Sequence, residues 1–110
     1  MEHSSQYAAR FIRELSELTD CLAARDIVVG SLRADYSAFG GWRLIAQKHQ
    51  EAVRFTWDGR DGFLTVEGSP MPDDCSPADW KQELVKGFDV ISGANPVRFV
   101  DEYLQKRFPV

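Results

Sequence analysis

From Ser5 to Arg25 the apolar residues recur at helical spacing: Ala8, Phe11, Ile12, Leu15, Leu18 and Leu22 form one stripe, and Arg10, Arg13, Glu14, Glu17 and Asp20 fall mostly outside it. The stripe predicts an amphipathic first helix whose apolar side covers a following sheet. The period then changes. Ile27, Val28 and Val29 open a strand running to about Tyr36, Gly40 and Gly41 break the chain, and Trp42 to about Lys48 reads as a second strand. In "EAVRFTWD" Val53, Phe55 and Trp57 alternate with Arg54 and Thr56, which gives a third strand, and "FLTVE" gives a short fourth ending in Glu67 and Gly68, residues that blunt a sheet edge.

Between the third and fourth strands stand Asp58, Gly59, Arg60, Asp61 and Gly62, two Asp-Gly dipeptides flanked by alternating apolar runs. That is the local signature of a hairpin reversal: glycine supplies positive φ, and aspartate bonds its own backbone. The turn accounts for both aspartates. A calcium loop needs ligands at alternate positions and a distant glutamate between flanking helices, a pattern this stretch lacks, so no metal is expected.

Beyond a proline-punctuated loop, "SPADW" reads as a helix start, with Ser76 as cap, Pro77 in the first helical position and Asp79 reaching back. A helix from about Pro77 to Lys86 follows, with Gly87 just past its end. "FDVISGA" fits either a short extended piece or a loop over the core. Asn95 and Pro96 repeat the start signal before a last helix whose apolar face comprises Phe99, Val100, Tyr103, Leu104 and Phe108, with Lys106 and Arg107 in its final turn. The expected fold is a single α+β domain over residues 1–110. It is a two-layer sandwich in which an antiparallel four-stranded meander is covered on one face by the N-terminal helix and two C-terminal helices.

A chain of 110 residues is long enough to bury a core without disulfides or metal. Its net charge of -4 is unevenly placed: residues 1–55 balance, while the 58–79 window sets Asp58, Asp61, Glu67, Asp73, Asp74 and Asp79 against Arg60. Such a belt repels a phosphate backbone, so nucleic acid is not an expected partner. Cys21 and Cys75 form no paired-cysteine motif. No stretch reaches the roughly 20 apolar residues that span a bilayer, and no secretory leader is visible. The expectation is a soluble, cytoplasmic protein with reduced thiols and no membrane partner.

Catalytic signals are weak. The two histidines, His3 near the start and His49 in the turn between strands two and three, have no local nucleophile, and no phosphate-cradling glycine loop is present. No catalytic residue and no cofactor is assigned. One constellation stands out. If the strands alternate as read, Trp42, Val53, Phe55 and Trp57 face the helices, and Arg33, Arg43 and Arg54 project from the opposite face, where local pairing with Asp35, Glu51 or Glu67 competes with docking an acidic partner. Trp80, at the start of the expected second helix, is a candidate interface anchor. The leading functional reading is a non-catalytic protein-interaction module of inhibitor, immunity-like, adaptor or chaperone-like type, with an unidentified protein partner. The alternative is a small-molecule binder or enzyme with a pocket between sheet and C-terminal helices, drawing on Arg54, Trp57, Trp80 and Tyr103. A third class, an oligomeric module, leaves a homo-oligomer open.

Overall fold

The computed structural model describes residues 2–35, 41–48, 50–70, 79–89 and 96–108, with side chains placed from Ile12 onward at most of them. Helix α1 (Glu2–Ala23) precedes strands β1 (Val28–Asp35), β2 (Gly41–Lys48), β3 (Glu51–Asp58), β4 (Phe63–Pro70) and β5 (Lys81–Gly87), and helix α2 (Pro96–Arg107) follows. The five strands form one antiparallel meander in the order β1-β2-β3-β4-β5. The α+β class and the layered meander agree with the sequence reading. The described residues hold five strands and two helices, not four and three.

The correction falls on the expected helix at 77–86. Residues 71–78, including the Ser76 and Pro77 start signal, lie outside the described residues, and Lys81–Gly87 is a strand paired to β4. The reason is non-local. Leu64 and Val66 of β4 are fully buried, and β4 unpaired would leave its outer backbone groups without partners. The ladder from Phe63↔Gly87 to Gly68↔Lys81 supplies them and outweighs the helix preference of a short polar segment. β4 is therefore interior rather than a blunted edge, and the edges are β1 and β5.

α1 stops in a left-handed C-terminal motif. The Ile27 amide donates to the Leu22 carbonyl and the Asp26 amide to that of Ala23, with Asp26 at φ 54°. Leu22 and Ile27, the apolar pair that accompanies this motif, are both buried. Lys48 of β2 donates to the Arg25 carbonyl at 2.8 Å, placing a cation at the negative end of the helix. His3 lies in the first turn of α1, and His49 is outside the described residues. The hairpin is as the dipeptides imply: Asp58 Oδ1 accepts the amides of Arg60 at 2.9 Å and Asp61 at 3.0 Å, and Gly62 adopts φ 75°.

One face of the sheet carries the core. Cross-strand rows Trp42↔Trp57↔Leu64 and Leu44↔Phe55↔Val66 lie under Val97, Val100 and Leu104 of α2 and Leu18 and Leu22 of α1, all in one buried cluster. Phe55 is wholly buried and meets Tyr103 edge-on at 5.7 Å, while Trp57 meets Phe88 and Phe88 meets Phe99 in the same manner. Charged pairs fix the helices on this slab. Arg25, just beyond α1, bonds Asp101 of α2. Arg107 bonds Glu83 of β5, which also accepts the Tyr103 hydroxyl at 2.7 Å. This cluster sits over Gly68, where an added Cβ would lie 3.1 Å from the Arg107 guanidinium and collide with the Glu83 carboxylate.

Phe55→Ala removes the largest fully buried side chain and the ring that Tyr103 packs on, and is expected to cost about 3–5 kcal/mol of stability. Urea unfolding measures this directly, since the midpoint falls while the slope holds.

Candidate functional site

The site expected on the opposite face is built by alternation. Residues paired across the sheet share a face, so Arg33↔Arg43↔Thr56↔Thr65↔Val85 form one row, and Ile45↔Arg54↔Glu67↔Gln82 the row beside it. Neither helix lies on these rows. At the Glu51 end of the same face Ala52 and Ser69 are buried, which leaves its accessible part toward β1 and β2 and along the β4–β5 side, where Phe63 and Val85 are both 49% exposed.

The structure separates the three arginines. Arg54 is held: its Nε donates to Glu67 Oε1 and its Nη2 to Glu67 Oε2, both at 2.8 Å, with each side chain about one-fifth exposed. Its guanidinium lies 4.4 Å from the centre of the Trp80 ring, so the cation is paired on its edge and stacked on its face. Trp80 is half-buried in the irregular residues before β5, not on a helix, and its ring contributes to this stack. The hydrogen bonds from Arg54 hold the Glu67 carboxyl below the ordinary glutamate range, aided by the charges of Arg54 and Arg43 and opposed by partial burial.

Arg33 and Arg43 are different. They are direct cross-strand partners, both exposed, and neither makes an ion pair among the described residues. Directly opposed side chains on a sheet start about 5 Å apart, and like charges there destabilise the pairing. Two arginines rooted at directly opposed positions can bring both guanidiniums onto the same carboxylates.

The residues of the alternative pocket are not brought together. Tyr103 and Trp57 lie in the layer between sheet and α2, whereas Arg54 and Trp80 stack on the other side. Among the described residues an open groove of about 640 Å³ runs along the seam of the two helices, lined by Glu17, Asp20, Cys21, Val97, Arg98 and Asp101. Burial pushes the Cys21 thiol up, and the charge and hydrogen bonding of Asp101 push the same way, against a smaller pull from Arg25, so the thiolate is disfavoured. Among the described residues no three histidine, cysteine or carboxylate side chains converge as a metal site, and no helix is long and apolar enough to cross a membrane.

A second polar cluster, Glu83, Tyr103 and Arg107 with Glu51 at 3.7 Å from Arg107, was not anticipated from the sequence. It requires β5 beside α2, and the only local trace of it is a glycine in mid-strand at position 68. Burial raises the Tyr103 hydroxyl, and its bond to Glu83 adds to this, so the tyrosine stays protonated and acts as a donor. This cluster is a clasp between helix and sheet. No protein-family model, no curated protein and no solved structure matches the chain.

Two outcomes follow from the geometry. Because the folded Glu67 value lies below its ordinary 4.5, the pair's contribution is fully present above that pH and is lost as pH falls through the lowered folded value. Urea midpoints followed from neutral to acid pH should therefore fall more gently for Glu67→Gln than for the wild type, starting from a lower neutral value. Conversely, Arg33→Glu turns a repulsive cross-strand pair into an attractive one and should raise stability by about 0.2–1 kcal/mol, read from the same midpoints.

Proposed function

We propose that this chain is a non-catalytic protein-interaction module whose sheet face opposite the helices docks a carboxylate-bearing surface of another protein through Arg33 and Arg43. The observation that carries this reading is the cross-strand arginine pair itself, exposed and without an ion pair among the described residues, while Arg54 on the adjacent row is bound to Glu67, whose carboxylate also feels the charge of Arg43. The fold tolerates a local cost there, and relief of that cost by incoming carboxylates strengthens binding at the expense of the free state. Thr56, whose hydroxyl oxygen is buried, and Thr65 continue the row, and Val85 closes it with an exposed apolar side chain, so the face offers charge at one end and contact area at the other. The acidic balance elsewhere, including the exposed Asp58 and Asp61 at the β3–β4 turn, disfavours nucleic acid and selects against acidic partners that approach from that side.

The test is capture from an extract of the source cell at low and high salt with wild type and the Arg33→Glu/Arg43→Glu variant, followed by titration of any stoichiometric partner against both purified proteins. The double variant should bind at least about tenfold more weakly, a change of about 1.4 kcal/mol, while remaining folded. Salt should weaken the wild-type complex. Absence of a stoichiometric partner at either salt, or equal affinity of wild type and variant, would reject the reading.

A further inference from the structure

Beyond this arginine face, β1 has a second unfinished side. Val29 and Leu32 point to the core side of the sheet, as the register partners of Ala46 and Leu44. Those partners are wholly buried, yet Val29 is 40% and Leu32 38% exposed. The helical layer thus stops one strand short of the sheet edge. α1 shows the complementary excess. Leu22 and Leu18 are wholly buried and Leu15 partly so, while Ile12, one helical turn further toward the N-terminus on the flank of the same stripe, is 65% exposed. Of the six large apolar side chains left exposed among the described residues, Ile12, Val29 and Leu32 lie on this side of the two adjacent elements, Val28 lies on the other face of β1, and Phe63 and Val85 lie at the far side of the sheet.

Among the described residues one copy therefore has apolar sheet that is incompletely covered, at Val29 and Leu32, and an apolar helix residue, Ile12, with no sheet beneath it. The geometry points to a second copy of this chain as the occupant: a two-fold dimer in which the Ile12 segment of each α1 lies against Val29 and Leu32 of the other protomer. A two-fold contact uses the same patch twice, so a surface containing both the deficit and the surplus satisfies itself. The exposed charges on α1 agree with this pairing. Arg13, Glu17 and Asp20 make no ion pair among the described residues, and two α1 helices crossing antiparallel about Ser16 set Arg13 of each against the acidic turn at Glu17 and Asp20 of the other. The contact runs through side-chain faces rather than strand addition. The register shift between Val29 and Ser31 bends the edge of β1, and the Arg33 charge lies on it, both features that deter edge pairing.

Sedimentation over a dilution series tests this, with the wild type, Ile12→Glu and Leu32→Glu compared. The wild type should sediment at twice the 12.5 kDa chain mass when concentrated and dissociate on dilution. Both variants should remain monomeric at concentrations where the wild type is dimeric, with unchanged far-ultraviolet circular dichroism. If Leu32→Glu fails to fold, Ile12→Glu decides alone, because that side chain is mostly in solvent. A wild type that is monomeric at every concentration overturns the proposal, as does a dimer that survives Ile12→Glu. Neither result decides whether the arginine face binds carboxylates, since that face lies on the other side of the sheet and its test reads affinity for a partner.

Discussion

The exclusion of water from the row Leu44, Phe55 and Val66 is the constraint on which the rest of the molecule depends. All three are wholly buried on adjacent strands, beneath Val100 and Leu104 of α2. Once that row faces the helices, strict alternation leaves no freedom for the residues between: Arg43, Arg54 and Glu67 must project the other way. The charged clasps on the helical side are secondary to this. Arg25 with Asp101 and Arg107 with Glu83 are partly exposed pairs, whose individual contributions are modest. Their effect is on geometry, since they fix where α2 lies over a slab that would otherwise let it slide.

What could be read from the chain and what could not divide along local and non-local physics. β3 and its turn were legible because alternation in Glu51–Asp58 and the self-bonding of Asp58 are properties of a few consecutive residues. α2 was legible for the same reason: its apolar face repeats at helical spacing and a proline opens it. β5 was not. Lys81–Gly87 contains one half-buried apolar residue, Leu84, so it has almost no period of either kind, and its state is decided by the unpaired side of β4. The misplacement of Trp80 followed from that error, because a residue starting a helix over the core and a residue entering an edge strand sit on different sides of the sheet. The Arg54–Glu67 pair was within reach, since counting outward from the turn sets the two residues opposite each other. The Glu83, Tyr103 and Arg107 clasp was beyond reach without β5.

The two halves of the sheet are finished to different degrees. Toward β3, β4 and β5 the polar groups are largely matched: Arg54 has Glu67 and Trp80, Glu83 has Tyr103 and Arg107, and Asp58 has the backbone of its own turn. Toward β1 they are not. Its core-side residues lack cover, and its outward arginine faces another arginine. Among the described residues β1 is held mainly by β2, with slight packing from α1, so it is also the strand whose surroundings can change with least disturbance of the central slab.

This polarity puts the two proposed contacts on opposite sides of one strand. Arg33 and Leu32 are sequence neighbours, and alternation sends one to each side of the same strand, so the proposed acidic partner and the proposed second copy would approach from opposite directions. They are nevertheless linked through β1. Ordering of the strand by cover on its apolar side holds Arg33 in register with Arg43, and a guanidinium pair held in register loses less conformational freedom when carboxylates bind. Under both proposals, association at one side of β1 would therefore favour binding at the other, with the central slab as the rigid support.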